Sequence, residues 1–155
     1  PIVMGTLGKA FGTSGAFVAG DAQTIDYILQ FSRPYTYTTA SPPSIAAATR
    51  QSLQQVVNGT QRRAQLKHNI DYFRKQVAAL GYELMASATA IQPVLVGSNE
   101  RALSLSVQLK AQGILVSAIR PPTVPKGTAR LRFTLSADHT QADINTLCAA
   151  LKGLA

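Results

Sequence analysis

The 155-residue sequence predicts a mixed fold, an α/β segment running into a compact α+β unit. Three observations carry that expectation. Short apolar runs flank a glycine-rich loop near the start. A helix-period stripe of Leu66, Ile70, Phe73, Val77 and Leu80, stepping by 4, 3, 4 and 3, occupies the middle. From Gly81 onward the pattern reads strand, helix, strand, strand, helix.

The elements follow in order. Residues 2–7 and 15–20 are apolar enough for two short strands around the loop. Residues 22–31 read as a helix, with Ile25, Ile28 and Leu29 on one face. Residues 33–39 are hydroxyl-rich and expected to be extended. Pro42-Pro43 ends that stretch and opens a helix, because proline is tolerated in a first turn. Helix is expected over 43–57 and 60–80, interrupted near Asn58-Gly59 and stopped by Gly81. Residues 91–97 read as a strand. Residues 99–112 read as a helix capped by Ser98 and stopped by Gly113. Strands are expected at 114–120 and 130–136, joined by a connection that three prolines stiffen. The last helix, 140–152, opens with Thr140 and Asp143 at capping-box spacing. Ile144, Leu147, Cys148 and Leu151 form its apolar face.

Composition narrows the function classes. Charged residues are only 14% against 46% hydrophobic, which excludes a disordered or coiled-coil chain. One cysteine, Cys148, excludes an internal disulfide framework and suits a reducing, cytoplasmic setting. No apolar run approaches the ~20 residues of a membrane span. The net charge of +8 invites a nucleic-acid reading. However, Arg62, Arg63, Lys67, Arg74 and Lys75 fall in one helical region, which commonly is a solvated face. With no tryptophan, stacking platforms are also poorly supplied. Neither His68 nor His139 has metal-site spacing, so no metal is expected. Pro1 as the first residue, entering what reads as a strand in mid-stride, suggests the C-terminal piece of a longer protein.

Three stretches could carry chemistry. In GTLGKAFGTSG, residues 5–15, Lys9 is framed by Gly5, Gly8, Gly12 and Gly15. A neutral amine attacks carbonyls, and burial would favour the neutral form. Thr6, Thr13 and Ser14 offer hydroxyls suited to phosphate oxygens, although the Walker order is absent. On pattern alone a surface lysine on a glycine turn is the first reading of the stretch. In RLRFTLS, 130–136, alternation puts Arg130, Arg132 and Thr134 on one face and Leu131, Phe133 and Leu135 on the other. Paired guanidiniums suit a carboxylate, and they equally suit plain solvent. In AIRPPTVPKG, 118–127, Arg120 ends a strand before rigid prolines, in either a binding or a structural loop.

These motifs together resemble those of the α-oxoamine synthases, pyridoxal 5'-phosphate (PLP) enzymes of the aspartate-aminotransferase fold (fold type I). TLGKAFGTSGA resembles the family's lysine motif, and TYTTASPP, AIQPVLVGSNERAL and AIRPPTVPKGTARLRFTLSADH also fit, in order along nearly the whole chain. The last run is most similar to the member that serves biotin biosynthesis. The resemblance implies that Lys9 forms the imine with PLP and shuttles the α-proton, and that Thr6 contacts the cofactor phosphate. It implies that Thr38 and Thr39 reach the phosphate held by a neighbouring subunit, which requires a homodimer. Arg132 would hold the amino-acid carboxylate, and Arg120 would serve the far end of the acyl substrate. The implied reaction condenses L-alanine with a pimeloyl thioester, pimeloyl-CoA or pimeloyl-acyl-carrier protein, releasing CO2.

The resemblance further implies three regions. Residues 1–42 would be the end of a large PLP-binding domain, 43–80 a helical connection, and 81–155 a small C-terminal α+β domain. Family members are more than twice as long, and the ring-stacking histidine and the pyridine-nitrogen aspartate fall outside this chain. A fragment of this extent is expected to be inactive alone. Two other readings stay open at the level of sequence. One is a sister activity such as glycine C-acetyltransferase; the other is a non-enzymatic basic α+β binding module.

Overall fold

A computed structural model describes residues 1–154, which form two compact units, 1–60 and 61–154. In the first unit, β1 (Val3–Thr6) pairs antiparallel with β2 (Ala16–Ala19), Gly5 opposite Phe17 and Thr6 opposite Ala16. A side chain at Gly5 would meet the Phe17 ring, which passes 2.6 Å from where a Cβ would stand. Helix α1 (Ala22–Phe31) has the expected bounds, and Asp21 caps it by accepting from the Thr24 N–H at 2.9 Å.

The stretch expected to be extended differs. Residues Arg33–Thr36 form a short helix, α2. Ser32 supplies the non-helical residue before it and Pro34 lies in its first turn, where proline costs no hydrogen bond. Helix α3 (Pro43–Asn58) opens on Pro43 and ends at Gly59, so the break near Asn58-Gly59 is where the sequence indicates.

No residue of Pro1–Thr60, all of them described, is buried. Met4 is 73% exposed and Tyr37 79%. The apolar strand and helix faces of this unit therefore contribute little core of their own, and that governs the setting of Lys9 below.

The second unit holds the core. Helix α4 (Thr60–Ala79), all but its first residue in this unit, is followed by β3 (Glu83–Leu84), β4 (Ile91–Gly97), α5 (Asn99–Ala111), β5 (Ser117–Ile119), β6 (Ala129–Thr134) and α6 (Gln141–Lys152). The strands form one antiparallel sheet in the order β3-β4-β6-β5. β3, two residues long, is too short for alternation to reveal. β5 is shorter than the 114–120 expected, because the Ile114 N–H turns back to the Leu109 carbonyl (2.9 Å).

Alternation along β4 and β6 buries Val94, Val96, Leu131 and Phe133. On the same side pack Ile70, Phe73 and Val77 of α4, Leu105 and Leu109 of α5, and Ile144, Leu147 and Leu151 of α6. Phe73 and Phe133 meet with ring centroids 5.3 Å apart. The stripe read from sequence thus faces this core, with Leu66 and Leu80 packed at its margin.

Two polar residues are also buried there, and both are satisfied. Asn69 donates to the Ser136 and His139 carbonyls, and Gln92 accepts from Arg74 and donates to the Thr89 carbonyl. Gly81 (φ 83°) and Gly113 (φ 79°) take the left-handed conformation at the helix ends. Thr140 and Asp143 close the capping box reciprocally. Among the described residues, no helix is long and apolar enough to cross a membrane.

Candidate active site

The lysine loop is built by three backbone hydrogen bonds. The Leu7 N–H donates to Gly15 O (2.9 Å) and the Thr13 N–H to Leu7 O (3.0 Å), closing the neck where β1 leads into β2. The Gly12 N–H donates to Lys9 O (2.9 Å), turning the chain directly after the lysine. Gly12 (φ 61°) and Gly15 (φ 107°) hold conformations that a side chain would strain. The glycines therefore make a tight loop that carries one amine.

Lys9 itself is exposed, as the pattern-level reading of a surface lysine on a glycine turn has it. The physical reason is the surrounding unit, in which nothing is buried, so the loop has no apolar wall to sink the side chain into. Among the described residues, its Nζ has no hydrogen-bond or ion-pair partner.

The hydroxyls differ in availability. Thr6, at the end of β1, is exposed and its side chain has no partner among the described residues. Thr38 donates its hydroxyl proton to the Pro34 carbonyl. Thr39 has no such bond, so its proton remains available where that of Thr38 is committed. Thr13 is held by Thr49 on α3, hydroxyl to hydroxyl at 3.0 Å. Ser52 on the same helix donates to Phe11 O at 2.7 Å. Sequence reading missed both α3 residues. They lie 36 and 41 positions from their partners, and no local pattern encodes such contacts.

In the second unit, the face of the sheet opposite the core carries the two arginines, and the structure separates them. Arg130 is half-buried, its cross-strand neighbours being Leu95 and Ile119. It donates from Nε to Thr128 O (3.0 Å) and from Nη2 to Thr128 Oγ1 (3.1 Å). Arg132 is exposed between Pro93 and Ser117, and its guanidinium has no partner among the described residues. Alternation put both on one face, and Thr128 leaves Arg132 alone with an open fork. Arg120 is also exposed, one residue past β5, and its side chain has no partner among the described residues.

The donor set of the first unit fits a group with an aldehyde at one end and a phosphate at the other. A primary amine without a partner suits the aldehyde carbon. The hydroxyl of Thr6, on the strand that leads into the Lys9 loop, suits anionic oxygens. PLP has both ends. Arg132, with five donors in a planar fork, suits a carboxylate.

Comparison with known proteins agrees in kind. The chain is 58% identical over 151 residues to 8-amino-7-oxononanoate synthase of Marinobacter nauticus, a match covering 97% of this chain and 38% of that protein. Among solved structures, it resembles SPT with a PLP internal aldimine, at a TM-score of 0.90 and 30% identity over 99% of this chain and 39% of that one. It also resembles 8-amino-7-oxononanoate synthase of Francisella tularensis, at 0.86 and 33% over 98% and 44%. The chain therefore spans well under half the length of these relatives. The sequence profile of the aminotransferase class I and II family matches residues 1–151, and the chain belongs to that family.

Proposed function

We propose that this chain carries part of the machinery of an 8-amino-7-oxononanoate synthase acting in biotin biosynthesis. The reaction condenses L-alanine with a pimeloyl thioester. The bond from the alanine α-carbon to its carboxylate breaks and CO2 leaves. A bond from that carbon to the acyl carbon forms, and the thiol carrier is released. The observation that carries the reading is the Lys9 loop, a glycine-built turn presenting one amine without a partner.

In this reading Lys9 holds PLP through Nζ, and Thr6 binds its phosphate. Thr38 and Thr39 reach the phosphate of the other subunit of a homodimer, with Thr39 the better donor because the Thr38 proton goes to Pro34. PLP, when bound, supplies the electron sink for charge at the amino acid's α-carbon. The Lys9 amine then moves the α-proton on Nζ. Arg132 orients the alanine carboxylate through its open fork, and Arg120 receives the far end of the acyl group.

Residues 1–42 would belong to a large cofactor domain, 43–80 to a helical connection and 81–155 to a small domain. The setting is cytoplasmic, in keeping with a single cysteine and no disulfide. A sister activity with another acyl donor is less well supported, because the identity to the biotin enzymes is 52–58% among the most similar relatives.

The test follows CO2 released from carboxyl-labelled L-alanine by the natural protein that carries this sequence, supplied with PLP and either pimeloyl-CoA or pimeloyl-acyl-carrier protein. Release should require one of the thioesters and vanish in Lys9→Ala. A Lys9→Ala protein releasing CO2 at the wild-type rate would refute the role of Lys9. No release with either thioester would refute the reaction. The 155 residues alone should give no product, since they span 38% of a relative's length.

A further inference from the structure

Helix α3 turns two hydroxyls, those of Thr49 and Ser52, toward the lysine loop. Along α3 the covered positions are Ile45, Thr49 and Ser52, spaced by 4 and 3 on one face. Leu53 and Val57, by contrast, are 49% and 68% exposed. Ile45 is the one apolar residue among these covered positions, so apolar packing alone does not account for the face. Here the covered hydroxyls are spent on the loop. Ser52 donates to Phe11 O (2.7 Å), two residues after Lys9, and Thr49 bonds Thr13 Oγ1 (3.0 Å), four residues after it.

Thr49 has one hydroxyl proton and two acceptors in reach, Thr13 Oγ1 and the Ile45 carbonyl at 2.8 Å. Ser52 has a single acceptor and is the firmer brace. No buried apolar side chain anchors the loop, so these two bonds hold its far limb to the helix.

We propose that Thr49 and Ser52 are positioning residues for Lys9, fixing through Phe11 and Thr13 where the loop presents the amine. The inference rests on Lys9 being the residue that holds PLP. Without the braces the neck bonds at Leu7, Thr13 and Gly15 still close the loop, while the turn at Lys9 and Gly12 is free to swing. The amine then meets its carbonyl partner in fewer of its conformations.

The test uses the natural protein and the variants Ser52→Ala, Thr49→Val, Ser52→Thr and Thr49→Ser. PLP is titrated into each, and the visible absorbance that depends on Lys9 is followed with its pH midpoint. In protein without PLP, amide exchange is read over residues 7–15. Loss of one brace should weaken apparent PLP affinity about fivefold, the worth of one ordinary hydrogen bond. It should also displace the pH midpoint, speed exchange in the loop and leave the thermal midpoint of unfolding unchanged. The hydroxyl-keeping variants Ser52→Thr and Thr49→Ser should behave as wild type.

If wild type shows the Lys9-dependent band and both hydroxyl-deleting variants match it, the inference is overturned and the proposed function stands. If those variants lose thermal stability and the hydroxyl-keeping ones do not rescue the band, the residues are structural and the inference is again overturned. If wild type develops no band that Lys9→Ala removes, the proposed function falls and this inference falls with it.

Discussion

The two arginines of β6 offer the sharpest perturbation, because the structure gives them opposite surroundings. Arg132→Ala removes an exposed side chain with no partner among the described residues, so stability should change by no more than about 0.5 kcal/mol. If Arg132 orients the alanine carboxylate, the same change removes a bidentate, charge-assisted pair. Hydrogen bonds to charged groups are worth about 1.5–3 kcal/mol each. Taking the low end for two bonds in an open site gives about 3 kcal/mol, or roughly 150-fold in kcat/KM for L-alanine. Arg132→Lys keeps the charge without the fork and should fall between.

Arg130→Ala should do the reverse. It removes the two bonds to Thr128 and the stem packed between Leu95 and Ile119, costing about 1–2 kcal/mol of stability. It should change kcat/KM for alanine by only a fewfold. Steady-state kinetics with alanine varied, alongside urea unfolding of the same preparations, reads both effects. Equal kinetic losses in the two variants would refute the division of labour, as would an Arg132→Ala protein that loses more stability than Arg130→Ala.

Three further outcomes follow from the geometry. Phe73→Ala empties a fully buried site against Phe133 and should cost about 3–5 kcal/mol in chemical denaturation. Gly15→Ala places a side chain at φ 107° beside the neck bond from Leu7, and should cost about 1–3 kcal/mol and speed exchange at the Leu7 amide. The Asp143 carboxyl accepts from the Thr140 N–H and hydroxyl, and that capping box holds it below the usual carboxylate range. The folded chain thus binds this proton more weakly than the unfolded chain. The contribution is complete above the unfolded carboxylate's titration and is lost as pH falls through the folded one. Asp143→Asn should flatten the acid limb of thermal stability against pH, and an unchanged limb would count against the assignment.

The sequence was most informative where structure is local. The bounds of α1, the stop at Gly81, the capping box of α6 and the alternation of β6 all rest on neighbours a few residues apart, and periodicity or capping chemistry encodes them. It was least informative where partners are remote or the element is minimal. β3 has two residues, and α2 is one short turn set by Ser32 and Pro34. The braces from Ser52 to Phe11 and Thr49 to Thr13 cross many intervening positions. Which arginine stays open depends on Thr128 curling back onto Arg130, a contact that alternation does not report. The exposure of Lys9 agrees with the surface-lysine reading of the glycine turn, and it follows from a first unit in which no residue is buried.

The claim that ties these observations together is that Lys9, alone among the lysines of this chain, holds PLP covalently. Borohydride reduction of the natural protein equilibrated with PLP, followed by peptide mass spectrometry, tests it directly. A reduced PLP adduct is expected on the peptide containing Lys9, with little on Lys67, Lys75, Lys110, Lys126 or Lys152. An adduct spread evenly over those lysines, or concentrated on one of them, would contradict it.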